Sequence, residues 1–267
     1  MPIVVEESGM PPMDPNSHEA LLRRREAATL TWRGPALMLF ARSAIALAAQ
    51  AAVAAVFVVG ASPTPWHDAE PWLPVYGTLI DAGCLALLWR LTRRESISLF
   101  ALVGFERARL GRDILLGFAL IPVSLVFILG GASAAGWIVY GAPAPPHFLG
   151  GLPLPAALYG VLVWPFIWGL TEQMTYNGYL APRFQVLCRS TGVAVAVVAF
   201  AWSLQHAFMP LTFDADFMTY RLLASIPNSV FQVLLYLRFR RLLPLAMAHA
   251  LMDSATVLIP LLPSFRA

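Results

Sequence analysis

The chain has 267 residues, 58% of them hydrophobic and only 12% charged, with a mean hydropathy of +0.68 and a net charge of +3. A soluble domain carries about twice that share of charge, so the composition excludes an ordinary soluble core and points to a polytopic membrane protein. The small positive charge is spread over loops and comes from 18 arginines with no lysine, which gives no nucleic-acid signature.

In chain order, residues 1–34 are polar and proline-bearing and predict a cytosolic tail with a short helix from His18 to Thr29. The tail has no apolar run followed by a small-residue cleavage site, so no signal peptide is expected. A membrane-crossing helix needs ~20 apolar residues. The pattern over residues 35–267 predicts spans near 36–60, 72–91, 114–139, 154–176, 191–209, 221–237 and 242–262. Arginines fall before the first span, between the second and third, between the fourth and fifth, and between the sixth and seventh. The alternate loops 61–71, 141–152 and 210–220 have none and carry Asp68, Glu70, Asp214 and Asp216. This alternation predicts an all-α transmembrane helix bundle of about seven spans with its N-terminus in the cytoplasm. Trp66, Trp72, Trp137 and Tyr140 flank the outer ends, as an aromatic belt does. Arg107 to Asp113 reads as an amphipathic entry to the third span or as a solvated loop. Cys84 and Cys188 lie far apart and fit packing rather than a disulfide framework. No internal repeat is evident.

Ionisable groups inside a membrane are expensive and mark functional sites by default. The fourth span reads WPFIWGLTEQMTYNGYLAPRF, with Pro165 predicting a kink. Glu172 and Tyr176 share one face four residues apart, and so do Gln173 and Asn177. The next span puts Trp202 and His206 on one face, and the last does the same with His249 and Asp253. Blander readings stand beside these. A lone membrane histidine often serves a helix–helix hydrogen bond. Asp81 fits packing or a water cavity, and Arg42 and Gln50 fit snorkelling or lining of the bundle. Depth is awkward: at ~1.5 Å per residue, His249 lies about 10 Å into its span and His206 ~22 Å into its own, so convergence requires tilt.

These residues resemble the CPBP family of intramembrane glutamic proteases, which includes the type II CAAX prenyl endopeptidases. The family pattern is E-E-x-x-x-R, then F-x-x-x-H, then H-x-x-x-N or H-x-x-x-D. Here the first motif reads Glu172-Gln173-Met174-Thr175-Tyr176-Asn177, the second Trp202-Ser203-Leu204-Gln205-His206, and the third His249-Ala250-Leu251-Met252-Asp253. The resemblance covers about 155–260. It departs at Gln173, where the family has its second glutamate, and at Asn177, where it has arginine. Losing acid and base together leaves no lone buried charge, and Gln173 and Asn177 can hydrogen-bond to each other instead. The resemblance implies a metal-free endopeptidase. Glu172 with His206 would activate a water, and His249 with Asp253 would stand at the developing oxyanion. Gln173, Asn177, Tyr176 and Trp202 would support them. It also implies a membrane-embedded or lipidated protein or peptide as substrate, the bilayer as partner, no nucleic acid, and a bacterial-type inner membrane as the location.

Three other readings stay open. Gln173 and Asn177 also suit a non-catalytic member of the fold, acting as a scaffold or a bacteriocin-immunity-type protein. A proton-coupled transporter would use Glu172 as a relay, but repeats and paired broken helices are not visible. One carboxylate with two histidines resembles a zinc shell, yet no H-E-x-x-H occurs, and the expectation is no metal and no cofactor.

Overall fold

The computed structural model describes residues 14–143 and 151–262. The first thirteen residues of the expected tail, seven residues of the expected 141–152 loop and the last five residues of the chain lie outside them. The described residues contain helices and turns and no strand. In order come α1 (His18–Glu26), α2 (Arg33–Val59), α3 (Pro65–Ala69), α4 (Leu73–Arg94), α5 (Leu110–Tyr140), α6 (Leu154–Leu162), α7 (Trp164–Glu172), α8 (Ala181–Cys188), α9 (Thr191–Ala207), α10 (Ala215–Phe239) and α11 (Leu242–Leu261). Gln173–Leu180, between α7 and α8, is π-helical.

Five helical runs are long and apolar enough to cross a membrane, and the bent pair α6 with Trp164–Cys188 makes up to six. They present large apolar side chains outward, with Val59 89% and Leu115 and Ile138 each 71% exposed. Such a surface belongs against lipid rather than water. The chain is therefore an integral membrane protein. Of the seven expected spans, the 191–209 segment is the shortfall. Its helix, α9, has 17 residues, or about 26 Å at 1.5 Å per residue, less than the ~30 Å of a hydrocarbon core.

The bundle packs α10 against α5 and α9, α11 against α5 and α7, and α2 against α4. The predicted kink near Pro165 is present: α6 and α7 meet at Val163 with a 41° bend. Proline removes a backbone donor, so the ladder cannot run through it. Beyond the bend, α7 lies close on α11. A Cβ at Gly169 would stand 3.0 Å from the Ala250 nitrogen, so only glycine permits this approach without displacement. Glu172 is one turn beyond Gly169 and His249 is next to Ala250; this contact sets their separation.

At the other end of the same rod, Arg183 is fully buried. Its Nε donates to both oxygens of Glu95 at 3.0 and 3.1 Å, its Nη2 to Glu95 Oε2 at 2.5 Å, and its Nη1 to Asn16 Oδ1 and the Tyr179 carbonyl. Tyr179 adds its hydroxyl to Glu95 at 3.2 Å, and Asn16 Nδ2 donates to the Gly178 carbonyl at 2.9 Å. Ser17 caps α1, whose Leu21 joins Leu30 and Val186 in a small apolar cluster. The described part of the expected tail is thus docked on α8. Arg241 pairs with Asp113 and Glu106, tying the start of α11 to the start of α5.

Candidate active site

Glu172 closes α7 and is completely buried. Two neutral donors hold its carboxylate: Trp202 Nε1 reaches Oε2 at 2.8 Å and Gln205 Nε2 reaches Oε1 at 2.7 Å. Both come from α9, three residues apart, and so share one helical face. Tyr176, one turn after Glu172, stacks on Trp202 with ring centroids 5.0 Å apart and planes at 7°. The Tyr176 hydroxyl donates to Gln205 Oε1 at 3.0 Å, which turns the Gln205 nitrogen toward Glu172.

Two cationic or potentially cationic groups flank the same carboxylate. Arg42 of α2 sets Nη2 3.5 Å from Glu172 Oε1 and Nη1 2.9 Å from Asp81 Oδ1 of α4. Its guanidinium lies 4.1 Å over the Trp168 ring, a desolvated cation–π contact. From α11, His249 Nε2 stands 3.6 Å from Glu172 Oε2 and 3.4 Å from Asp253 Oδ2. The other face of the His249 ring system meets Gln173, whose Nε2 is 3.3 Å from Nδ1. Asn177 Nδ2 donates to Gln173 Oε1 at 2.6 Å, the contact expected from their spacing. Gln232 of α10 accepts from Gln173 at 3.4 Å and donates to Ser124 of α5 at 3.4 Å. The π-helical stretch carries Gln173, Tyr176 and Asn177, and π-turns recur at functional sites.

Glu172, His249 and Asp253 are thus brought into contact. His206 lies one residue beyond Gln205, at the end of α9, only partly buried. Its carbonyl accepts from Arg221 Nε at 3.3 Å, and its ring is within electrostatic reach of Glu172 and His249. The hydrogen bond on that side of Glu172 comes from Gln205. α9 ends at Ala207, and the loop after it is held to α2. There Gln50 exchanges two 2.9 Å bonds with the Leu211 backbone, and so clamps a loop.

Four residues of the site are not among the expected site residues: Arg42, Asp81, Gln205 and Gln232. A single arginine in one span and a single aspartate in the next carry a usable signal, because charges inside a membrane pair with one another. Gln205 offered a weaker one, as a polar residue three positions after Trp202.

A carboxylate has about four acceptor positions, and Glu172 spends two on short bonds, so it retains capacity for a further donor. Among the described residues no group of three His, Cys, Asp or Glu side chains is arranged to hold a metal ion.

Residues 153–255 match the family model described as type II CAAX prenyl endopeptidase Rce1-like. The Rce1-like segment begins just before α6 and ends just past Asp253, so it contains Glu172, His206, His249 and Asp253 but neither Arg42 nor Asp81. It indicates the fold of a CAAX-type intramembrane protease. No curated protein and no solved structure matches the chain.

Proposed function

We propose that the protein is an intramembrane endopeptidase that uses Glu172 as its base, without a metal or other cofactor. The observation that carries this is the setting of Glu172 in an Rce1-like segment. It is a buried carboxylate held by Trp202 and Gln205, flanked by Arg42 and His249, with acceptor capacity left over. Water would donate a proton to Glu172 as its oxygen bonds to the scissile carbonyl carbon and the carbonyl π pair moves onto oxygen. His249 and Asp253 would stand at that oxyanion, with His249 donating a hydrogen bond to it from Nε2, the class of interaction that often supplies the largest catalytic contribution. His206 would help bind the water. On collapse the C–N bond breaks, and the proton passes from Glu172 to the leaving amine. The bond cleaved would belong to a membrane-embedded or lipid-anchored protein or peptide. The arginine-rich helix ends would face the cytoplasm of a bacterial-type inner membrane.

The test is cleavage of lipid-anchored reporter peptides by the purified protein in lipid nanodiscs. Glu172→Ala and His206→Ala should each abolish turnover while inserting normally, and a chelator should leave wild-type turnover unchanged. Wild-type rates in Glu172→Ala would overturn the reading, and chelator-sensitive rates would overturn its metal-free part.

A further inference from the structure

Two details of the Gln173 environment combine. Its carbonyl oxygen is occupied by the Asn177 amide at 2.6 Å. Its nitrogen lies between Gln232 Oε1 at 3.4 Å and His249 Nδ1 at 3.3 Å. An amide nitrogen has two hydrogens and no lone pair to give, so one hydrogen serves each neighbour. His249 Nδ1 must then accept. A neutral imidazole that accepts at one nitrogen carries its hydrogen on the other. The hydrogen therefore sits on Nε2, facing the gap between Glu172 Oε2 at 3.6 Å and Asp253 Oδ2 at 3.4 Å.

We infer that Gln173 is a positioning residue that fixes His249 as its Nε2–H tautomer. The residue type at this position decides the outcome. A glutamate here would accept from Nδ1–H and leave Nε2 as a lone pair facing two carboxylates. The glutamine reverses that and makes His249 a hydrogen-bond donor toward the centre of the site. This bears on the proposed oxyanion role of His249, and in that respect it rests on the peptidase reading; the tautomer itself does not. The relay is anchored outside the site as well, because Gln232 is held by Ser124 on α5. Reversing the Gln173, Asn177 and Gln232 amides together would put the Gln173 oxygen against the ring and select the opposite tautomer, which makes the assignment decidable.

The experiment is nitrogen-15 and carbon-13 NMR of histidine-labelled protein in lipid bilayers near neutral pH. The chain has 5 histidines, and the His249 signals are assigned by their loss in His249→Asn. The wild type should show a protonated Nε2 and an unprotonated Nδ1. Gln173→Glu should move the hydrogen to Nδ1 or give the doubly protonated ring, and Asn177→Ala combined with Gln232→Leu, which removes both partners that orient the Gln173 amide, should give a mixture. An Nδ1–H signature in the wild type overturns the inference, as does an unchanged Nε2–H signature in Gln173→Glu. If Gln173→Glu does not fold, the spectrum of the Asn177→Ala, Gln232→Leu double variant decides, and a single unchanged tautomer there overturns it. Peptide cleavage is followed in parallel. The expected tautomers in a wild-type protein that cleaves nothing support the inference while sinking the peptidase reading.

Discussion

Two fully buried arginines, Arg42 and Arg183, face carboxylates in this bundle, and they are served very differently. Arg183 has a forked Glu95, a side-chain amide and a backbone carbonyl, all in hydrogen-bond geometry. Arg42 approaches Asp81 and Glu172 as a charge. Among the described residues, none of its three nitrogens and neither Asp81 oxygen finds a regular hydrogen-bond partner. A saturated buried pair is a staple. An under-satisfied one keeps its field available, and such groups gather where chemistry is done. Arg183 knits Glu95, the tail and the π-helical turn together, while Arg42 lends a positive charge to Glu172. Electrostatic support of this kind strengthens in a low dielectric.

The comparison breaks most visibly at the staple. Arg183→Ala takes three hydrogen bonds from Glu95, which keeps only the Tyr179 hydroxyl at 3.2 Å and Arg24 at 3.9 Å, and breaking a buried pair costs about 3–5 kcal/mol. Thermal unfolding in detergent should show that loss, while turnover per folded molecule falls far less. Equal losses in stability at Arg183 and at Arg42 would erase the distinction.

The next effect reverses the balance. Replacing Arg42 and Asp81 together, by Met and Leu, removes both charges and leaves neither alone. Buried pairs replaced by apolar residues are often neutral or stabilising. The melting temperature should hold or rise. Turnover should drop about a hundred-fold, or ~2.7 kcal/mol, the size of losing one preorganised electrostatic contact. Unchanged turnover would reduce Arg42 to a packing element.

That pair also shows where the sequence was readable. Glu172, His249 and Asp253 were legible because each charge or imidazole lies alone in an apolar run, with helical spacing fixing its face. The all-helical bundle was legible for the same reason. Arg42 and Asp81 lie equally alone, but they are 39 positions apart in sequence by residue number and on different helices, and nothing local says that they meet. Their partner, Glu172, lies further off still, across a contact made by packing rather than by spacing. The π-helical stretch was hidden too. Its residues at four-residue spacing look like any α-helical face, and the wider turn appears only in the packed bundle, where α2, α10 and α11 lie against it. The expected 191–209 span is two residues longer than α9 because its apolar run continues past Ala207 into Phe208 and Met209, beyond the helix end.

A smaller effect sharpens the geometry on the Glu172 side. Gly169→Ala would place a methyl group 3.0 Å from the Ala250 nitrogen and 3.4 Å from the Ala246 carbonyl oxygen. Overpacking of this kind costs about 1–3 kcal/mol. Because it parts α7 from α11, it should also lengthen the Glu172–His249 approach and lower turnover more than stability alone explains. The matching change at Gly130 meets nothing within 4 Å and serves as the control.

The smallest effect belongs to an ion pair outside both clusters. Arg23 and Glu19 of α1 meet at 2.6 Å, with side chains 64% and 66% exposed. Water screens this pair as it cannot screen Arg42 or Arg183, and an exposed pair four residues apart is worth about 0.3–0.5 kcal/mol. Glu19→Gln should therefore shift unfolding by no more than that, and the shift should vanish at high salt. The Arg183→Ala loss should persist there, since its charges are out of reach of the ions. A salt titration of the two variants side by side separates a charge that is buried and bound from one that is merely near its opposite.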